Sequence, residues 1–224
     1  MSVLETFYFN KMNFIVRKFT VFQILSLILI LWCIMSQNAA APSNPKTVFD
    51  FTKAPNLDEW VEISDTVREV GQSKATFVLQ KTQLFQRAIF FTVLNPQPNG
   101  AGFAGVSNRA TLDLKDYNNL ELHARAQGNV SNYKIVLRHK GLNREPHPTY
   151  EQFFEMPLEE FTTVSLPLSN FDPYYRGRKL NSSEAEPLDK SQISSFGFQV
   201  YGGVYLPKKQ SGVSALEIDW VKAS

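Results

Sequence analysis

The chain almost lacks cysteine. Its one thiol, Cys33, lies in an apolar N-terminal stretch, so the sequence after it can form neither a disulfide nor a thiolate metal site. Histidine is nearly as scarce. His123, His139 and His147 do not make the three or four convergent ligands of a zinc centre, and the reading is no metal. A phosphate-binding glycine loop is also missing. Asn99-Gly100-Ala101-Gly102-Phe103-Ala104-Gly105 lacks the GxGxxG spacing and opens no helix; it reads as a tight turn where backbones approach closely. No nucleophile–base arrangement stands out, no cofactor signature is present, and no catalytic residue is assigned. Glu217 and Asp219 share a strand face with Cβ atoms roughly 7 Å apart, near the roughly 5–5.5 Å of a retaining glycosidase pair. Nothing else resembles such a site, and they read as a solvated face flanking a buried Trp220.

Excess charge of one sign is absent too. Of the 23 Lys and Arg and the 21 Asp and Glu, only Lys11, Arg17, Lys18 and Glu5 precede residue 42, so the remainder balance. A neutral domain has no global field to draw it to nucleic acid or anionic membrane, and the reading is no nucleic acid.

What is present begins with the leader. Lys11, Arg17 and Lys18 precede the apolar run 19–35, and Ser36-Gln37-Asn38-Ala39-Ala40-Ala41-Pro42 follows it. A positive flank, an apolar centre and a small-residue exit describe a secretory signal peptide. The run is slightly shorter than the roughly 20 residues of a spanning helix. Residues 1–41 are therefore read as a signal peptide, cleaved between Ser36 and Pro42. The alternatives are a signal anchor with a lumenal domain, which would give the only membrane contact, and a mitochondrial presequence. Residues 42–46 are a linker, and 47–224 form one domain.

In that domain apolar residues alternate in short runs. Leu120-Glu121-Leu122-His123-Ala124-Arg125-Ala126 is the cleanest; 133–138, 164–168, 196–201 and 216–221 follow the same period of two, the signal of strands. Pro167 suggests an edge or a strand end. Ala88-Ile89-Phe90-Phe91-Thr92-Val93-Leu94 is apolar on both faces and reads as a covered central strand. Helical periodicity is nearly absent, with single turns expected after Asn56 and over 157–160. Short strands at a spacing of about ten residues predict an all-β antiparallel sandwich of jelly-roll type, with Trp60, Phe90, Leu122, Ile135, Phe198 and Trp220 in its core. The longest irregular segments are 139–150 and 171–190.

Two candidate surfaces follow. His123, Arg125, Lys134, Arg138, Gln199 and Tyr201 occupy the polar positions of alternating strands and are expected to project from one sheet, offering donors and an aromatic to a sugar or a peptide. Tyr174, Tyr175, Arg176 and Arg178 form the densest aromatic and arginine cluster, of the kind enriched at recognition hot spots, with Arg176 the sharpest candidate. Asn129-Val130-Ser131 and Asn181-Ser182-Ser183 are candidate N-glycosylation sequons in predicted loops.

One set of segments is familiar in order and spacing: Val48-Phe49-Asp50-Phe51; Trp60 with Ser64-Asp65; Gly71-Gln72-Ser73; Gly102-Phe103-Ala104-Gly105-Val106; Leu112-Asp113-Leu114 with Tyr117; Val164-Ser165-Leu166-Pro167 with Phe171; Tyr175-Arg176-Gly177; and Leu216-Glu217-Ile218-Asp219-Trp220. With them the chain resembles the complex I intermediate-associated protein 30 family over about 46–223. The resemblance implies a galactose-binding-like β-sandwich and a non-enzymatic assembly factor or chaperone-like protein, best known for assembly of mitochondrial respiratory complex I. Phe161 stands where the family pattern has Trp, Val70 where it has Gly, and the leader is of secretory type. The reading is a binding scaffold, a secretory-pathway paralogue with a protein client. A mitochondrial assembly factor and an exported carbohydrate-binding module with a glycan partner are the alternatives.

Overall fold

Thirteen short strands in two antiparallel sheets build the domain, with three single 3-10 turns as the helical content among the described residues. The structure is a computed structural model and describes residues 44–224 except 68, 99 and 205. The leader assignment lies outside the described residues.

The first sheet holds β1 (Lys46–Asp50), β3 (Lys74–Lys81), β4 (Gln86–Leu94), β6 (Asn119–Gly128), β9 (Thr162–Pro167) and β13 (Gly212–Ala223). Its order is β3-β4-β13-β6-β9, with β1 beside the second half of β13. The second sheet holds β2 (Trp60–Glu62), β5 (Phe103–Leu112), β7 (Asn132–His139), β8 (Thr149–Glu155), β10 (Asp172–Tyr175), β11 (Arg178–Lys179) and β12 (Ile193–Tyr201). Its order is β11-β10-β8-β7-β12-β5-β2. The all-β sandwich is therefore as expected, and Pro167 does end an edge strand, where its missing N–H costs no ladder bond.

Alternation puts every second side chain between the sheets. Leu120, Leu122, Ala124 and Ala126 of β6 face Ile135 and Leu137 of β7 and Phe196, Phe198 and Val200 of β12, all buried. Aromatic rings join the layers: Phe77 and Phe90 of the first sheet meet Phe198, which stacks on Trp60 at 5.6 Å. Five of the six expected core residues face this interior, Trp60 at its margin.

Trp220 does not. A bulge in β13 sets both Asp219 and Trp220 opposite His123, which shifts the phase by one residue. Val221 and Ala223 then enter the core, and Trp220 lies on the outer face, stacked on His123 at 5.3 Å. β4 departs as well. Ala88, Phe90 and Leu94 are buried, but Phe91 and Val93 on the other face are about 40% exposed, so β4 is covered on one side only among the described residues. Of the two expected single turns, the one after Asn56 is present as a hydrogen-bonded turn, Trp60 N donating to the Leu57 carbonyl at 2.9 Å, and the one over 157–160 is absent. Asn56 caps the first turn by accepting the Asp58 N–H, while at the second Leu158 bridges Ala126 in parallel. The segment 171–190 is partly ordered as the β10–β11 hairpin.

Candidate functional site

The six polar-face residues divide between the sheets. His123 and Arg125 lie on β6 of the first; Lys134, Arg138, Gln199 and Tyr201 lie on β7 and β12 of the second. Alternation fixes which way a side chain points and is silent on sheet membership. The chain changes sheet between β6 and β7 at Gly128, whose φ of 89° suits glycine and where an added Cβ would sit 2.5 Å from the Val213 carbonyl oxygen.

On the first sheet the outer face carries a charge network. Glu217, 5% exposed, is not a solvated acid. It accepts from Arg125 Nε at 3.1 Å and Nη2 at 2.9 Å, and from Arg87 Nη1 at 2.8 Å. Phe161 lies against both guanidiniums, its ring centre 4.3 Å from the guanidinium carbon of Arg87 and 4.8 Å from that of Arg125, a cation–π arrangement. His123 stacks between Phe161 and Trp220, and Lys222 Nζ sits 4.1 Å from the Trp220 ring centre. Both carboxylate oxygens of Glu217 are thus engaged by arginine. Beside this network Val78, Ile89, Phe91, Val93 and Val213 form a continuous apolar strip across β3, β4 and β13.

On the second sheet the outer face is aromatic and polar. Phe153 meets Tyr201 edge to face at 5.0 Å and Tyr174 at 5.5 Å. Beneath them Lys134 Nζ donates to Glu151 Oε2 at 2.6 Å. Sequence reasoning missed Phe153 and Glu151, because β8 is apolar or buried at adjacent positions. Parity with Tyr150 and Phe154, both inward, is the signal that finds them.

The arginines named from sequence are mostly committed elsewhere. Arg138 Nη1 donates to the carbonyl of His147 at 2.9 Å and to those of Leu142 and Pro148 at 3.4 Å, holding its own loop. Arg176 and Gly177 (φ 51° and 81°) form the two-residue turn between β10 and β11, the geometry that right-handed strand twist favours. The Arg176 guanidinium pairs with both oxygens of Glu145, at 3.3 and 2.6 Å, and Arg178 pairs with Glu184 at 2.8 Å. Tyr175 lies against Arg176, whose guanidinium carbon is 5.3 Å from its ring centre. Both sequons lie in loops, and Asn181 Oδ1 accepts from Ser183 N and Oγ. No group of three or more His, Cys, Asp or Glu is placed to hold a metal ion among the described residues.

His139 is buried and has a defined tautomer. Its Nδ1 accepts the Asp189 N–H at 2.8 Å, so Nε2 carries the proton and faces the Tyr150 hydroxyl at 3.1 Å and Glu186 at 3.4 Å. Burial lowers its pKa, against the attraction of Glu186 and Asp189 and with the repulsion of Lys140. The unfolded chain then binds a proton the native state refuses, so stability is full above about pH 6.5 and falls as the pH drops below it. The urea midpoint should fall between pH 7.5 and 5.5. A His139→Asn chain, which keeps the acceptor but cannot titrate, should show a flatter profile; equal slopes for both would refute the assignment.

The family model for Complex I intermediate-associated protein 30 (CIA30) matches residues 49–218. The chain belongs to this family. No curated protein matches the sequence. Among solved structures, a family 11 carbohydrate-binding module from Clostridium thermocellum, in complex with a β-1,3-1,4-mixed-linked tetrasaccharide, is similar with a TM-score of 0.59. It is 15% identical, over 82% of this chain and 96% of that one. A family 30 carbohydrate-binding module of the cellulosomal cellulase Cel9D-Cel44B of the same organism is similar with a TM-score of 0.52, at 12% identity over 81% of this chain and 97% of that one. These likenesses show the fold.

The CIA30 segments are structural in this chain. The Asp65 carboxylate, buried, accepts from Ser73 N and Oγ at 2.8 Å and from Phe103 N at 3.3 Å, and so ties the starts of β3 and β5. Gly71 belongs to the same knot, since a Cβ there would lie 2.0 Å from the Asp65 carbonyl oxygen. The Leu216–Trp220 segment supplies the bulge and the Glu217 network.

Proposed function

We propose that this CIA30-family chain is a non-catalytic, chaperone-like assembly factor of the secretory pathway, holding a protein client on the outer face of its first sheet. The observation that carries this reading is the apolar strip of Val78, Ile89, Phe91, Val93 and Val213. An uncovered apolar surface rimmed by polar groups marks an interaction site, and the Arg87–Glu217–Arg125 network supplies such a rim. The occupant is an extended apolar segment of a client. Edge strand β3 borders the strip; Glu62 caps its start by accepting the Ala75 N–H at 3.0 Å, and the edge beyond is suited to strand addition. The composition of the leader supports export. The non-catalytic reading rests on family membership and on Glu217, the most buried outer-face carboxylate of the first sheet, being committed to arginine.

A photo-crosslinker at Val213 of the full chain tests this. Expected are leader-cleaved protein in secretory fractions, a defined crosslinked client, and loss of that crosslink in Phe91→Asp. Phe91 is about 40% exposed, so this variant should change stability by no more than about 0.5–1 kcal/mol. Recovery in the mitochondrial matrix, or an unchanged crosslink in Phe91→Asp, would overturn the reading.

A further inference from the structure

We propose that the outer face of the second sheet is a separate binding site for a neutral oligosaccharide, lying over β7, β12 and β5 with Phe153, Tyr174 and Tyr201 at one side. It goes beyond the client reading and uses the opposite sheet.

Three features set the ligand class. First, the face is electrically balanced at its centre. Lys134 and Glu151 are 7% and 5% exposed and neutralise each other at 2.6 Å, with Thr149 Oγ1 donating to the other carboxylate oxygen at 2.9 Å. A charged ligand gains little from such a pair, while an uncharged one loses nothing. Second, the polar groups beside the rings are unspent. The Tyr174 and Tyr201 hydroxyls and the Gln199 side-chain amide have no hydrogen-bond partner among the described residues. Burial raises both phenols, Tyr201 to about 12, so they stay donors at any physiological pH. Aromatic surface next to free hydroxyl and amide groups suits a ligand with apolar C–H faces and its own hydroxyls.

Third, the floor beside them carries glycine at two positions, both buried. In register across the sheet, Val136, Gly197 and Ser107 follow one another, and Gly105 lies beside Gln199. A Cβ on Gly197 would stand 2.7 Å from the Val106 carbonyl oxygen, and one on Gly105 2.9 Å from that of Phe198, so neither position admits a side chain and the backbone there lies low between Val136, Ser107 and Gln199. A peptide is less well served. Strands β7, β12 and β5 are all internal, paired on both sides, and offer no backbone edge to extend.

Affinity electrophoresis of the full chain through gels containing barley β-glucan, galactomannan or an oligomannose conjugate tests the proposal, with heparin and polylysine as charged controls. At least one neutral glycan should retard the protein, with little dependence on salt. Tyr201→Ala and Phe153→Ala should each weaken that retardation about tenfold, and Gln199→Ala, which breaks no internal bond, should weaken it with unchanged melting. Phe91→Asp should bind the glycan as the native chain does, which separates this site from the client face. Retardation by charged polymers only, by none of the gels, or equally in native and Gln199→Ala and Tyr201→Ala chains would overturn it.

Discussion

Phe198→Ala should lower the unfolding free energy by about 4 kcal/mol, the range for deleting a buried phenylalanine. The ring is 1% exposed. It stacks on Trp60 at 5.6 Å and meets Phe196 at 5.2 Å, Phe77 at 6.0 Å and Phe90 at 6.4 Å. Its neighbours come from both sheets, and each is anchored in a strand, so the walls cannot collapse into the space left. The full cost of a cavity is therefore expected. Trp220→Ala removes a larger ring but should cost only about 1–1.5 kcal/mol, because that ring lies partly buried on the outer face against His123 and Lys222 and its loss opens no internal void. Urea midpoints at constant slope measure both. A larger loss for Trp220 than for Phe198 would reverse the strand phase assigned on either side of the β13 bulge.

The contrast between these two aromatics shows what was legible. Alternation is a local property, and it located the strands and the inward positions of β6, β7 and β12 correctly, because one buried face imposes a period of two on any strand. Trp220 was misplaced because a bulge adds one residue without any composition signal; Leu216-Glu217-Ile218-Asp219-Trp220 reads as unbroken alternation. The sorting of polar-face residues failed for another reason. Sheet membership depends on the chain crossing between layers at Gly128, which no periodicity records. The arginine cluster was legible as a cluster, but not as one already satisfied. Glu145 and Glu184, which hold Arg176 and Arg178, sit in loops whose paths are set by tertiary packing. Phe91 and Val93 look like core in sequence because only the fold decides which faces of a strand are covered.

The second large effect is expected at Glu217. Glu217→Gln keeps the shape of the side chain and removes its charge, leaving the Arg87 and Arg125 guanidiniums close together over Phe161 with no anion between them. The remaining acid nearby, Asp219, is 3.5 Å from Arg87 Nε. That nitrogen makes no hydrogen bond in the native chain, so the pair with Asp219 is a charge contact that offsets part of the loss at Arg87 and none of it at Arg125. Breaking a buried ion pair by removing one partner costs about 3–5 kcal/mol. The lower end, about 3 kcal/mol, applies here, because the Arg125 side chain is 30% exposed and partly screened by solvent. Replacing the whole unit by Glu217→Leu, Arg87→Met and Arg125→Met should recover most of that loss, since well-packed apolar groups replace buried ion pairs at little or no cost. The two outcomes together distinguish a network that stabilises from one that only must not be broken. If Glu217→Gln melts within a degree of the native chain, the guanidiniums are solvated and the network is not the rigid rim assigned to the client face. If the triple variant is folded and stable yet loses the Val213 crosslink, the charges themselves contact the client, and the apolar strip is only half of the surface that holds it.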